Sequence, residues 1–408
     1  MNNPINAGDT AWLLVSCSLV LLMTPGLALF YGGMVRRKNV LSTLTLSYVF
    51  MALIGVQWVL YGYSLAFGES IGGLVGGLNF LGLNGVAGEP NPNYSKTIPH
   101  GLFAAFQMMF AVITPALITG AFVERVRFKS FLLFALIWAT LVYDPLCHWV
   151  WGKGGWLGAL GALDFAGGTV VHIAAGFSAL AFALAIGPRK GFGKTPMEPH
   201  NIPLTVIGAG LLWVGWFGFN AGSALAANGV AVNALLTTNT SAATAGLVWM
   251  VLSWLDGRPR TLGLVTGMVA GLAAITPASG FVTPMAAMVV GAVAAPLCYY
   301  GIRFRDKRKW DESLDVWACH GLASTWGMFA TGLFATVEVN AAGANGLFYG
   351  NPGQLAVKLL AIGVTMAFCF GATFLVAKLL DWSIGLRVTT VEEEVGLDIS
   401  AHGERAYS

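Results

Sequence analysis

The spacing of charge along this chain constrains its fold more than any other feature. A helix needs about 20 mostly apolar residues to cross the hydrocarbon core of a bilayer. Eleven stretches of that order emerge, at about 11–34, 42–67, 99–122, 128–151, 169–187, 202–225, 232–254, 261–278, 282–302, 316–337 and 353–383. Of the 408 residues, 56% are hydrophobic and 10% charged, against roughly a quarter charged in ordinary soluble domains. The expected class is an all-α polytopic membrane protein of eleven transmembrane helices. Residues 1–385 form the membrane domain and 386–408 a cytoplasmic tail.

Two assignments need argument. Ile202 to Leu255 is uncharged and too long for one helix, and the polar Asn228-Gly229 step divides it. Thr261 to Ile302 is also uncharged; Pro277, Ser279 and Gly280, with Pro284 beyond, mark a reversal. Charge placement tests the count independently, because cytoplasmic loops are rich in Lys and Arg. Of the 22 Lys and Arg residues, all but Lys96, Lys153 and Lys358 fall in alternate loops or near the C-terminal end. A single span over 261–302 would put the neighbouring basic loops on opposite sides. The N-terminus is therefore expected outside and the tail in the cytoplasm of a cell membrane.

The net charge of +3 carries little information about partners, and no nucleic-acid footprint is visible. Cys17, Cys147, Cys298, Cys319 and Cys369 lie in apolar stretches without C-x-x-C spacing, which reads as small buried hydrophobes. The first residues lack a basic segment followed by a short apolar core, so no cleavable signal is expected.

Five spans per half force an inverted repeat, a frequent transporter design. The third span holds Ile113-Thr114-Pro115 and the eighth Ile275-Thr276-Pro277. The fifth holds His172 in HIAAG and the tenth His320 in HGLAS. An ionisable side chain inside a span is expensive and marks a bundle interior, a partner or a pathway. A lone buried histidine is most simply a satisfied core residue, but two in equivalent spans suggest a pair. In contact they can share a proton, with the outer ring edges left for a small polar solute. A dry pocket favours the neutral imidazole, because charging it there costs solvation energy.

Asp164, ahead of the fifth span, is read as a helix cap, with direct attraction of a cation as the alternative. Trp151, beside glycines in HWVWGKGG, offers a ring face for a cation. Phe110 and Phe219 suit a similar or gating part, and the Ser223 hydroxyl a hydrogen-bond acceptor. Ordinary packing is the competing reading for each.

The ordered segments MTPGLALFYGGMVRRKNVLS, GAFVERVRF, HWVWG, DFAGGTVVHI, GWFGFNAGS, TPASG, DVWACHG and GLDISAHGERAY span the chain from the first helix to the tail. Together they resemble the Amt/Mep/Rh ammonium transporters, on the Amt branch. The resemblance implies a homotrimer with one pore per subunit and a pseudo-twofold repeat. It also implies ammonium, ammonia and the analogue methylammonium as substrates. Trp151, Phe110 and Ser223 resemble the external recruitment site, with Asp164 nearby; Phe110 and Phe219 resemble the phenyl gate; His172 and His320 resemble the twin histidines of the pore. Gln107, Asn220 and Thr276 fall in the same motifs without a defined role.

No catalytic residues, cofactor or metal ligands are expected; membrane lipids surround the spans, and the resemblance implies a PII-type signalling protein as a possible partner at the cytoplasmic face. The tail alone reads as an exposed acidic segment; the resemblance implies that it packs across a neighbouring subunit. The rival readings are an ammonium sensor of the same fold and an Rh-like gas channel; an enzyme is the weakest.

Overall fold

The computed structural model describes residues 4–407. Helical segments occupy all eleven expected positions: α1 (Ala7–Met34), α2 (Arg37–Phe67), α3 (His100–Ala121), α4 (128–151), α5 (Gly168–Ile186), α6 (Ile202–Gly222), α7 (Gly229–Leu255), α8 (Thr261–Ile275), α9 (Pro284–Lys307), α10 (317–334) and α11 (Pro352–Ile384). Within a bilayer the backbone must satisfy its own hydrogen bonds, and helices do so locally.

By length and composition, nine of the described helices can cross a membrane. The two expected spans outside that count are α8 and α10. With 15 residues, α8 is about 22 Å long, because the chain turns at Pro277 and the 276–282 segment stays largely buried. α10 opens with a π-helical turn, Trp317–Leu322, that contains His320. Strand is confined, among the described residues, to a hairpin of β1 (Ser70–Ile71) and β2 (Val75–Gly76) and one isolated bridge, Val126 to Arg387.

Small residues set the helix packing. Along the α1–α6 interface, a Cβ on Gly208 would lie 2.3 Å from the Phe30 nitrogen, and one on Gly33 would lie 2.5 Å from the Asn201 carbonyl. Between α5 and α10, a Cβ on Gly176 would sit 2.3 Å from the nitrogen of Gly321. Lipid tails give no hydrophobic drive for helix association, so close backbone approach and its dispersion energy hold such pairs. Both contacts join a span to the one five places later in the chain. The five cysteines are free, and all but Cys17 are buried.

The basic loops meet at one end of the bundle. Glu124, buried and in a left-handed conformation (φ 74°), accepts from Arg36 and Asn39 and pairs with Arg189 at 2.9 Å. Arg189 also grips Asp311 at 2.7 Å. Burial pushes the Glu124 carboxyl up, but the Arg189 charge and the Arg36 contacts outweigh it and hold the group below the usual carboxylate value. Asp311 behaves alike: burial is overcome by hydrogen bonds from Arg189 and by the nearby guanidinium charges.

The tail departs from its reading as an exposed acidic segment. It folds into α12 (Thr390–Val395) and α13 (Leu397–His402) and docks on this cluster. The Lys190 amide donates to Glu393 at 2.6 Å, the Ser42 amide to Asp398 at 2.8 Å, and the Leu397 amide to Asn39 at 2.8 Å. Glu393, Leu397 and Asp398 are buried as a result. The tail's acids answer loop amides and cations, so its charge pattern is one half of an interface within the chain.

Candidate functional site

At the end opposite the basic cluster lies a cavity of about 470 Å³, lined by Phe103, Gln107, Trp151, Asp164, Ser223 and Phe281 among others. Trp151 closes α4, and its indole nitrogen donates to the Asp164 carbonyl at 2.9 Å, which fixes the ring at the cavity wall. Ser223 follows α6. Its hydroxyl donates to the Phe219 carbonyl at 2.8 Å, so its oxygen lone pairs remain as acceptors. The Gln107 side-chain oxygen is buried without a hydrogen-bond partner at the same wall. A cation here meets a ring face and unfilled oxygen acceptors.

Asp164 is capped inward. Its Oδ1 accepts from the amides of Gly167 at 2.8 Å and Gly168 at 2.6 Å; Oδ2 accepts from the amide of Thr169 at 2.7 Å and from the Thr169 hydroxyl. These amides are the free donors of the first turn of α5, so the carboxylate satisfies them from upstream. Four acceptor positions are thereby used, and the group acts on the cavity through its field.

Below the cavity the rings of Phe110 and Phe219 pack 4.2 Å apart at 34°. Phe110 meets Trp151 edge-on at 5.9 Å, and Phe219 stacks on His172 at 5.8 Å. Both phenylalanines are fully buried. Beneath them lies a void of about 10 Å³ lined by His172, His320, Trp216, Phe219 and apolar side chains.

The two histidines come together as the sequence suggests. Their rings stack at 5.3 Å and 24°, with Nδ1 of each 3.3 Å from Nδ1 of the other. Since one nitrogen must donate and the other accept, neutral rings take opposite tautomers: one outer Nε2 is a bare acceptor and the other carries a hydrogen. His172 Nε2 has no partner. Both residues sit in π-helical turns, Gly168–Ile173 and Trp317–Leu322; such turns recur at functional sites. Pro277 packs against Gly168, where a Cβ would lie 2.5 Å from it. The TP echo of the eighth span thus abuts the start of the His172 turn.

Ring contacts join Trp151, Phe110, Phe219, His172 and His320 in succession. Thr276 supports that succession: its hydroxyl accepts from the Trp216 indole at 2.8 Å, and Trp216 stacks on His172 at 5.3 Å and 25°. Asn220 instead donates to Thr238 at 2.9 Å. Trp216 was not singled out from sequence, although its place three residues before Phe219 sets both on one face of α6.

Residues 11–407 match the model of the Ammonium Transporter Family. The chain belongs to this family. It is 53% identical to ammonium transporter Amt1 of Archaeoglobus fulgidus over 401 residues, covering 98% of this chain and 99% of the relative. It is 51% identical to an ammonium transporter of Bacillus subtilis, covering 98% of each. Among solved structures, Candida albicans Mep2 superposes with a TM-score of 0.91 at 37% identity, covering 100% of this chain and 91% of that one. A chain titled Sensor Amt Protein superposes at 0.90 with 30% identity, covering 97% and 98%. As a member of the ammonium transporter family, the chain is a multi-pass membrane protein whose relatives are transport proteins rather than enzymes.

Proposed function

We propose that this protein recruits ammonium at the Trp151 cavity, removes its proton below the Phe110–Phe219 pair, and passes ammonia along His172 and His320. The observation that carries this is the line from an aromatic, acceptor-lined cavity through a closed ring pair to two touching imidazoles in an otherwise apolar void. A bare cation in such a void is costly, whereas neutral ammonia is not. Ammonium (NH4⁺) gives NH3 and one proton. That proton either follows through the exchangeable Nδ1 contact, giving net charge movement, or returns outside.

In this reading Trp151, Phe110, Ser223 and Gln107 contact the ion, Asp164 attracts it without a direct bond, and Phe110 with Phe219 forms the gate. α8 and α10 complete eleven crossings in an inverted five-plus-five repeat, with the basic end in the cytoplasm. Three copies assemble as a homotrimer, and the docked tail with its basic loops receives a PII-type protein.

The test is uptake of labelled methylammonium, with parallel current recording, in proteoliposomes carrying the full chain. Saturable uptake is expected, and His172→Leu is expected to abolish selective uptake or current. Binding without flux would make the protein a sensor, and unchanged behaviour of the variant would remove His172 from the path.

A further inference from the structure

Gln57 of α2 and Asp144 of α4 are both buried, and Gln57 Nε2 donates to Asp144 Oδ2 at 2.7 Å. Among the described residues no ion pair includes Asp144. An unpaired charge inside a span is expensive, and Leu at either place would avoid the cost. The pair is kept for something its polar atoms do.

The unmet atoms show what completes it. Asp144 Oδ1 and Gln57 Oε1 are buried without a hydrogen-bond partner. Both are acceptors, one on each member of a pair already joined through its other two polar atoms. An ionised carboxylate would leave the two acceptors empty, each at the cost of its desolvation. One hydrogen on Oδ1, donated to Oε1, satisfies both. The carboxamide lies over Gly62, where a Cβ would come 2.5 Å from Oε1 and 2.7 Å from Nε2. Gln57 directly precedes the π-helical turn Trp58–Gly62, and Asp144 directly follows another, Ala139–Tyr143. Such turns recur at functional sites, and these two carry no histidine.

We infer that Asp144 is kept as an un-ionised acid, closing a two-bond clasp with Gln57 that joins α2 to α4 and positions the walls of the Trp151 cavity. Gln57 Nε2 donates to Oδ2, and the Asp144 hydroxyl donates to Gln57 Oε1. Beyond the clasp, the outer ends of the two helices supply Phe67 and Trp151 to the cavity. Trp151 follows Asp144 by about two turns on the same face of α4. Asp144 is thus a positioning residue and touches no substrate. Its proton is argued from the hydrogen bonds alone, whereas the positioning role rests on the cavity being the recruitment site.

The experiment records infrared spectra of the full chain in lipid at neutral pH. In proteoliposomes it measures the ammonium concentration that half-inhibits labelled methylammonium uptake. Wild type minus Asp144→Asn should show the C=O stretch of a protonated carboxyl, above the amide band, and no carboxylate bands. In Gln57→Leu that stretch should move to higher frequency, as a carbonyl freed of a hydrogen bond does. Asp144→Asn places an N–H where the acid has its O–H, so both bonds persist, and inhibition and melting temperature should stay at the wild-type values. Asp144→Leu strands the polar atoms of Gln57 and should raise the half-inhibiting concentration about ten-fold. A packing defect alone would lower maximal uptake and leave that concentration unchanged.

Carboxylate bands in the difference spectrum, or loss of the fold in Asp144→Asn, overturn the clasp, because the charge is then present or required. A protonated band with an unchanged concentration in Asp144→Leu, while Trp151→Leu still weakens inhibition, overturns the positioning role. If Trp151→Leu also changes nothing, the recruitment site is misassigned and the positioning role falls with it; the spectra still decide the clasp.

Discussion

Gly176 and Gly321 meet backbone to backbone, so closely that a Cβ on Gly176 would stand 2.4 Å from the Cα of Gly321. No side chain separates the two turns that carry His172 and His320. The distance between the imidazoles is thus fixed by the absence of atoms one turn away.

Gly176→Ala should force these helices apart, at a stability cost of about 1–3 kcal/mol. Methylammonium uptake should fall about ten-fold or more, since sub-ångström positioning is lost. Uptake per folded protein, measured beside the melting temperature, separates the two effects. Wild-type uptake in the variant would mean that the histidine spacing is not set here.

Thr276→Val keeps the side-chain volume but leaves the buried Trp216 indole N–H without its acceptor, at about 1–3 kcal/mol. Reduced melting temperature and reduced uptake are expected together, because Trp216 supports one face of His172. Thr276→Ser should restore both, and a thermal scan with flux measurement on the pair decides the point.

Glu124→Gln should destabilise the protein at neutral pH by about 3 kcal/mol, since it leaves two arginines facing a neutral group. The folded carboxyl is held below its ordinary value of 4.5. Its contribution is therefore complete above that value and is lost as the pH falls through the folded pKa. The melting-temperature gap between wild type and variant should be flat at neutral pH and narrow in acid. A gap that widens in acid would reverse the assigned sign.

Asp398→Ala removes the acceptor of the Ser42 amide at the start of α2, at about 1 kcal/mol. Limited proteolysis should then cut the tail faster, with little change in the melting of the helical bundle. Equal protection in both proteins would show that the other contacts of α13 suffice.

The spans were legible because the bilayer imposes one length on apolar helices, and the histidine pair because HIAAG and HGLAS carry the small residues that close contact demands. Asp164 was legible as a cap, although it stands three residues upstream of the N-cap position, Gly167, and accepts its four hydrogen bonds from Gly167, Gly168 and Thr169. What stayed hidden depends on distant partners. The acids of the tail read as solvated because Ser42, Asn39 and Lys190 lie hundreds of residues away. Trp216 was one of 14 tryptophans, and nothing local distinguishes a stacking ring from a packing one. Lys358 sat near a helix end, where snorkelling is the ordinary expectation, yet it is fully buried, its stem over Gly332.

The void below the ring pair, at about 10 Å³, has room for a single water-sized molecule. Occupancy of one means that travellers in opposite directions cannot form a file and push each other along. Inward and outward tracer fluxes should then be independent, their ratio following the concentration ratio of the permeating species to the first power.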